Sequence, residues 1–132
     1  MDDAKQELVA SWMSKALADL QSARKLAAPP EPQIETATYH CQQAAEKALK
    51  AYLLFRDHDL IRTHDLALLV NECASSDADF LELLDDADDL APYATRFRYP
   101  GPNIPAEADE YSRAISIAQR IFDFVASRLV SG

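Results

Sequence analysis

Three short stretches carry side chains whose types and spacing could do chemistry. The first is Tyr39-His40-Cys41-Gln42-Gln43-Ala44-Ala45-Glu46-Lys47-Ala48-Leu49-Lys50-Ala51-Tyr52-Leu53. At helical spacing it sets Gln42, Gln43, Glu46, Lys47 and Lys50 against a small apolar face of Cys41, Ala44, Ala45, Ala48 and Tyr52. Two ammonium groups and a carboxylate on one helix face could hold a phosphate or pair with a partner; the same run also reads as an ordinary solvated face. The second stretch is Thr63-His64-Asp65-Leu66. A histidine beside an acid could be a general base. Neighbouring positions on a helix do not face each other, so Asp65 is a poor orienter of His64, and a polar histidine at a helix start is the simpler reading. The third is Arg96-Phe97-Arg98-Tyr99-Pro100. Arg98 offers a planar fork for phosphate or carboxylate, and Tyr99 a ring for stacking. Equally, Arg98 could cap helix ends and Tyr99 fill the core.

Other chemistries find no residues. A di-iron bundle needs Glu-x-x-His on two helices, and none occurs; HExxH and His-x3-His are absent too. Gly101 and Gly132 are the only glycines, so no Gly-rich phosphate loop or serine nucleophile elbow can be built. No metal or cofactor is expected. Cys41 and Cys73 are the only cysteines and have no CxxC neighbour, which predicts two buried or half-buried free thiols.

The elements that must position these residues are helices. Alanine, leucine and charged residues dominate, and two glycines are too few for the turns of an all-β protein. The 132 residues read as a single domain, 1–132, large enough to bury a core. A first helix runs from about Asp3 to Ala27, with a stripe of Leu8, Trp12, Ala16, Leu20, Ala23 and Ala27. Ala28-Pro29-Pro30-Glu31-Pro32 stops it. A second runs from about Gln33 to Arg56, burying Ile34, Ala37, Cys41, Ala44, Ala45, Ala48, Tyr52 and Phe55. A short third helix starts near Thr63, the expected N-cap, and turns Leu66, Leu69 and Val70 inward. A fourth opens at Ser76, with Asp79 in capping-box position, and ends at Ala91-Pro92. Pro105, Glu107, Asp109 and Glu110 begin a fifth that continues to about Val130. Long helices with short connections imply an antiparallel bundle.

Charge narrows the partners. The chain carries 13 basic and 22 acidic residues, a net charge of −9. The excess sits in Asp77, Asp79, Glu82, Asp85, Asp86, Asp88 and Asp89, a run without Lys or Arg that reads as the wet face of a helix or, less simply, as a dock for a basic partner. Binding to duplex DNA through a phosphate footprint is not expected. With no basic-then-apolar leader and no apolar run near the roughly 20 residues that span a bilayer, a soluble cytoplasmic protein is expected, without a membrane role.

The order and spacing of the three signatures resemble the HEPN family, the "higher eukaryotes and prokaryotes nucleotide-binding" helical domains, over nearly the whole chain. The resemblance implies an all-α, up-down four-helix bundle with a short additional helix, often a homodimer. Many members of that family are metal-independent endoribonucleases, often toxins, with an Arg-x4-6-His motif near the start of the last helix. In this chain the positions at that spacing are Gly101, Pro102 and Asn103 after Arg96, and Asn103, Ile104 and Pro105 after Arg98. No histidine follows His64, so no catalytic residue is carried over. The Arg-Tyr-Pro form resembles the branch encoded beside a minimal nucleotidyltransferase. That implies a nucleotide-binding or partner subunit, with Gln43, Glu46, Lys47, Lys50, His64, Asp65, Arg98 and Tyr99 as its marker positions. A divergent ribonuclease using His64 and Arg98, or a purely structural interaction module working through the acidic run, are the other expectations.

Overall fold

The computed structural model describes residues 2–96 and 107–129. It contains five α-helices: α1 (Asp3–Ala27), α2 (Ile34–Phe55), α3 (Leu66–Ala74), α4 (Leu84–Leu90) and α5 (Ala108–Arg128). Short 3-10 segments flank α4 at Ala78–Leu83 and Ala91–Ala94, so the fourth rod of the bundle is a composite. No strand occurs among the described residues. The architecture is the expected up-down bundle, with α3 as the short extra helix.

α2 is the central element. It lies along α1 on one side and α5 on the other, and α3 and the Ala91–Ala94 turn close over it. Its side chains explain this position. Ala37, Cys41, Ala44, Ala45, Ala48 and Ala51 are all fully buried, and such small groups let neighbouring backbones come close. Leu49, Tyr52 and Leu53 fill the space beyond them. An aromatic cluster locks the far end. The Phe80 ring sits 4.4 Å from that of Tyr52 and 4.9 Å, edge-on, from that of Phe124. Edge-on and tilted pairs suit the ring quadrupoles, so the contact adds to the burial itself.

The helix ends follow local chemistry. Asp2 caps α1, its carboxylate accepting from the Lys5 backbone N–H at 2.8 Å. Two expected caps move by one or two residues. Asp65, not Thr63, caps α3, accepting from Leu68 N at 3.1 Å. The Thr63 hydroxyl instead accepts from Asp65 N at 3.1 Å, a local turn that delivers the aspartate to the cap. Asp77, not Ser76, opens the fourth rod, because its carboxylate accepts from Asp79 N at 3.0 Å. Ser76 pairs with His58 Nε2 at 2.9 Å. At α5, the Glu110 side chain reaches back to the Glu107 N–H at 3.3 Å, within the acidic opening that the sequence showed. Pro105 lies outside the described residues.

The expected apolar stripes need two adjustments. On α1, Val9 rather than Leu8 points inward; Leu8 is 49% exposed, so the buried face starts one residue later. On α2, the polar side is not the wet side, and this has consequences for the site. No helix among the described residues is long and apolar enough to cross a membrane.

Candidate functional site

The solvated-face reading of α2 fails at Gln42, Glu46 and Lys50. Gln42 is fully buried, and Glu46 and Lys50 are only 4% and 7% exposed. The cause is topological. A helix with neighbours on three sides has no room for a wide wet stripe, so residues one turn apart on its polar side are enclosed by α1 and the chain leading into α3.

Burying charge is costly unless it is paired and hydrogen-bonded. Here it is both. Lys50 Nζ donates to Glu46 Oε2 at 3.0 Å. The other carboxylate oxygen, Oε1, accepts from Gln42 Nε2 at 3.2 Å and lies 2.8 Å from His64 Nδ1. Gln42 also reaches the His64 carbonyl at 3.4 Å, and Gln43 Nε2 donates to Gln42 Oε1 at 2.7 Å. Lys50 stands 5.9 Å from the centre of the Trp12 ring on α1, a cation–π contact. Among the described residues no buried side-chain nitrogen or oxygen lacks a partner.

The network ends at the surface. The His64 side chain is 59% exposed although its Nδ1 is held. A carboxylate only accepts, so Nδ1 carries the proton of that bond and Nε2 of the neutral ring keeps its lone pair for solvent or a ligand. The residue that orients His64 is therefore Glu46, from the preceding helix, and not its neighbour Asp65, which is occupied as the α3 cap.

A second cluster lies one turn toward the N-terminus. Asp19 of α1, 7% exposed, accepts from Lys47 Nζ at 2.7 Å through one oxygen. Its other oxygen lies 2.8 Å from His40 Nδ1. Sequence reasoning passed over Asp19, His40 and Trp12 as site residues. Asp19 did leave a signal: it falls three residues after Ala16 and four before Ala23, a charge on an apolar stripe.

Of the expected site residues, Gln43, Glu46, Lys50 and His64 meet in one network. Lys47 belongs to the adjoining one. Arg96 is elsewhere: its Nη1 donates to Glu110 Oε1 at 2.9 Å, and its guanidinium lies 5.7 Å from the Tyr93 ring. It ties the end of the fourth rod to α5. The Glu110 carboxyl is held below its ordinary range chiefly by that hydrogen bond from Arg96. Arg98 and Tyr99 lie outside the described residues.

The cysteines are not nucleophiles. Both are buried and free, and burial pushes each thiol up to about 12. Cys73 instead lends its Sγ–H to the Leu49 carbonyl at 3.6 Å. No group of three or more His, Cys, Asp or Glu side chains among the described residues is placed to hold a metal ion.

Fold and site together define an all-helical bundle protein with a buried polar network on its central helix. The chain belongs to the HEPN domain family, whose model matches residues 9–129. It is similar to the crystal structure of TT1696 from Thermus thermophilus, with 27% sequence identity, a TM-score of 0.75, and 91% of this chain and 97% of that chain covered. It is also similar to the crystal structure of ST0689, an archaeal HEPN homologue, with 28% identity, a TM-score of 0.71, and coverage of 92% and 97%. No curated protein matches the sequence.

Proposed function

We infer that this HEPN-domain chain is a binding module: the nucleotide-binding or partner subunit of a minimal nucleotidyltransferase, in a two-component system of the toxin–antitoxin kind, with no catalysis of its own. One observation carries the reading. The acid and the ammonium on α2 that could act in a reaction, Glu46 and Lys50, are buried as each other's partners. Their fixed positions hold the His64 ring at the surface. A pre-organised polar surface on a rigid scaffold is what recognition needs. The marker residues Arg98 and Tyr99 add a cation and a ring suited to a phosphorylated base. Two copies of the chain are expected to pair, as in the dimeric members of the family.

The test is calorimetric titration of ATP into the purified wild type and Arg98→Ala, with co-elution of any nucleotidyltransferase encoded beside it. Saturable binding, weakened at least about tenfold in the variant, supports the reading; loss of one charge-assisted phosphate contact has about that effect. Failure to bind both nucleotide and nucleotidyltransferase contradicts it.

A ribonuclease is the second reading, favoured by one feature: Glu46 orients His64 at 2.8 Å as a carboxylate orients a general base. It requires RNA cleavage by the purified chain that disappears in His64→Ala. The binding-module reading predicts no cleavage by either form.

A further inference from the structure

The turn that ends α2 meets the turn that ends α3. Asp57 takes a positive φ of 64° just past α2. The His58 and Asp57 N–H groups then donate to the Leu53 and Leu54 carbonyls at 2.9 and 3.0 Å. These two bonds make a Schellman cap, and aspartate is one of the few side chains that tolerate the left-handed step it requires. The cap fixes His58 against the end of α3. There Glu72 and Ser76 lie four residues apart, a spacing that lets both reach one ring.

The three side chains are arranged in order. Ser76 Oγ is 2.9 Å from His58 Nε2, and His58 Nδ1 is 4.0 Å from Glu72 Oε2. The second distance is too long for a hydrogen bond, but it sets a negative charge beside Nδ1. That charge favours the ring proton on Nδ1 and leaves the lone pair on Nε2. The Ser76 hydroxyl then donates to Nε2, which is how a base prepares a hydroxyl to attack. Such a constellation is defined by geometry and roles, and it needs no glycine-flanked elbow. His58 is 23% exposed and, with Asp57, Asp59, Ile61 and Glu72, lines an open pocket of about 450 Å³. Asp57 is paired with Lys5, so Asp59 and Glu72 give the rim its negative charge.

We propose that Ser76 is an acceptor serine that takes an acyl group from an activated ester, with His58 as its base. In that step the Ser76 Oγ–H proton passes to His58 Nε2 as Oγ bonds to the acyl carbon. The bond from that carbon to the leaving oxygen breaks, and the leaving group departs with the electron pair. The imidazolium is balanced by Glu72 and gives its proton to solvent. The backbone N–H groups of Ser76 and Asp77 both bond to the Cys73 carbonyl, at 3.0 and 3.1 Å, so neither is left to hold an oxyanion. The site is therefore suited to a single covalent capture and not to turnover. The acidic rim repels phosphate and favours acyl groups that carry an ammonium, which makes the proposal independent of the nucleotide-binding reading.

The experiment treats the purified chain with the para-nitrophenyl esters of betaine, acetic acid and succinic acid, which carry cationic, neutral and anionic acyl groups. Intact mass gives the rate and tandem mass spectrometry the position. Ser75 is a control within the same peptide: it is exposed, and its hydroxyl donates to the Glu72 carbonyl at 2.6 Å instead of to a base. Acylation is expected on Ser76 and not on Ser75, fastest with the betaine ester and slowest with the succinate at low salt. His58→Gln keeps a polar partner for Ser76 and should slow acylation by at least about a hundredfold, the usual contribution of a general base. Its circular dichroism should match that of the wild type. Glu72→Gln should slow acylation less, because its contact to the ring is longer. Acylation of Ser75 as fast as Ser76, no acylation of Ser76 by any ester, or equal rates in wild type and a folded His58→Gln overturns the proposal. A succinate ester that reacts as fast as the betaine ester overturns the assignment of the acyl class.

Discussion

The polar side of α2 and the acidic run from Asp77 to Asp89 are both dense in charge, and the fold treats them in opposite ways. On α2, Glu46 and Lys50 are enclosed, and every contact is made to a specific partner. In the acidic run, Phe80, Leu83, Ala87 and Leu90 are buried while Asp79, Glu82, Asp85, Asp88 and Asp89 face solvent. Its ion pairs are bridges from α5: Arg120 to Asp86, and Arg128 to Asp77 and Asp79. Exposed pairs of this kind contribute little to stability, whereas breaking a buried pair leaves an uncompensated charge. Charge density alone does not separate the two regions; the number of neighbours around the helix does.

The comparison is broken most forcefully by removing one buried partner. Lys50→Ala should destabilise the chain by about 3–5 kcal/mol, the cost of stranding a buried carboxylate. Asp85→Asn or Asp88→Asn should stay within about 0.5 kcal/mol. Urea denaturation of the three variants checks both halves at once. The acidic run is expected to matter through its apolar side. Phe80→Ala, which empties the cluster with Tyr52 and Phe124, should cost about 3–5 kcal/mol by the same measurement. Asp65→Ala should cost about 1 kcal/mol, the usual value of an N-cap. It should leave the His64 ring in place, because that ring hangs on Glu46; the imidazole NMR signals report this directly.

The smallest effect is one of pH. Glu110 is lowered by its bond from Arg96, so the ionised form is favoured in the fold. That contribution is complete above the ordinary glutamate value of about 4.3 and is lost as the pH falls through the lower folded value. Thermal melts of the wild type should therefore decline over that acid window more steeply than those of Glu110→Gln. Equal slopes would detach Glu110 from any role in holding the Arg96 end of the fourth rod.

Much of the fold was legible because it is written locally. The apolar spacing of residues 3–27, the proline cluster that follows, and the acidic opening of the last helix each act within a turn or two of chain. The buried network was only half legible. Gln43, Glu46, Lys47, Lys50 and His64 stood out by type, but the burial of Glu46 and Lys50 depends on the elements packed around α2, which periodicity along α2 does not reveal. The His64–Glu46 contact joins residues 18 apart, and Lys47–Asp19 joins residues 28 apart. Neither can be read from spacing. Caps shifted for a smaller reason: Thr63 and Ser76 are each followed within two residues by an aspartate, which as a charged group accepts more strongly at the helix start.

The central claim is that the charged residues of α2 are a buried frame and not a wet face. A double-mutant cycle on Glu46→Gln and Lys50→Met, read by urea denaturation, tests it most directly. The account predicts that the double variant is less destabilised than the sum of the singles, with a coupling of more than about 1 kcal/mol. Singles that each cost less than about 0.5 kcal/mol and simply add would mark an exposed pair and contradict the account.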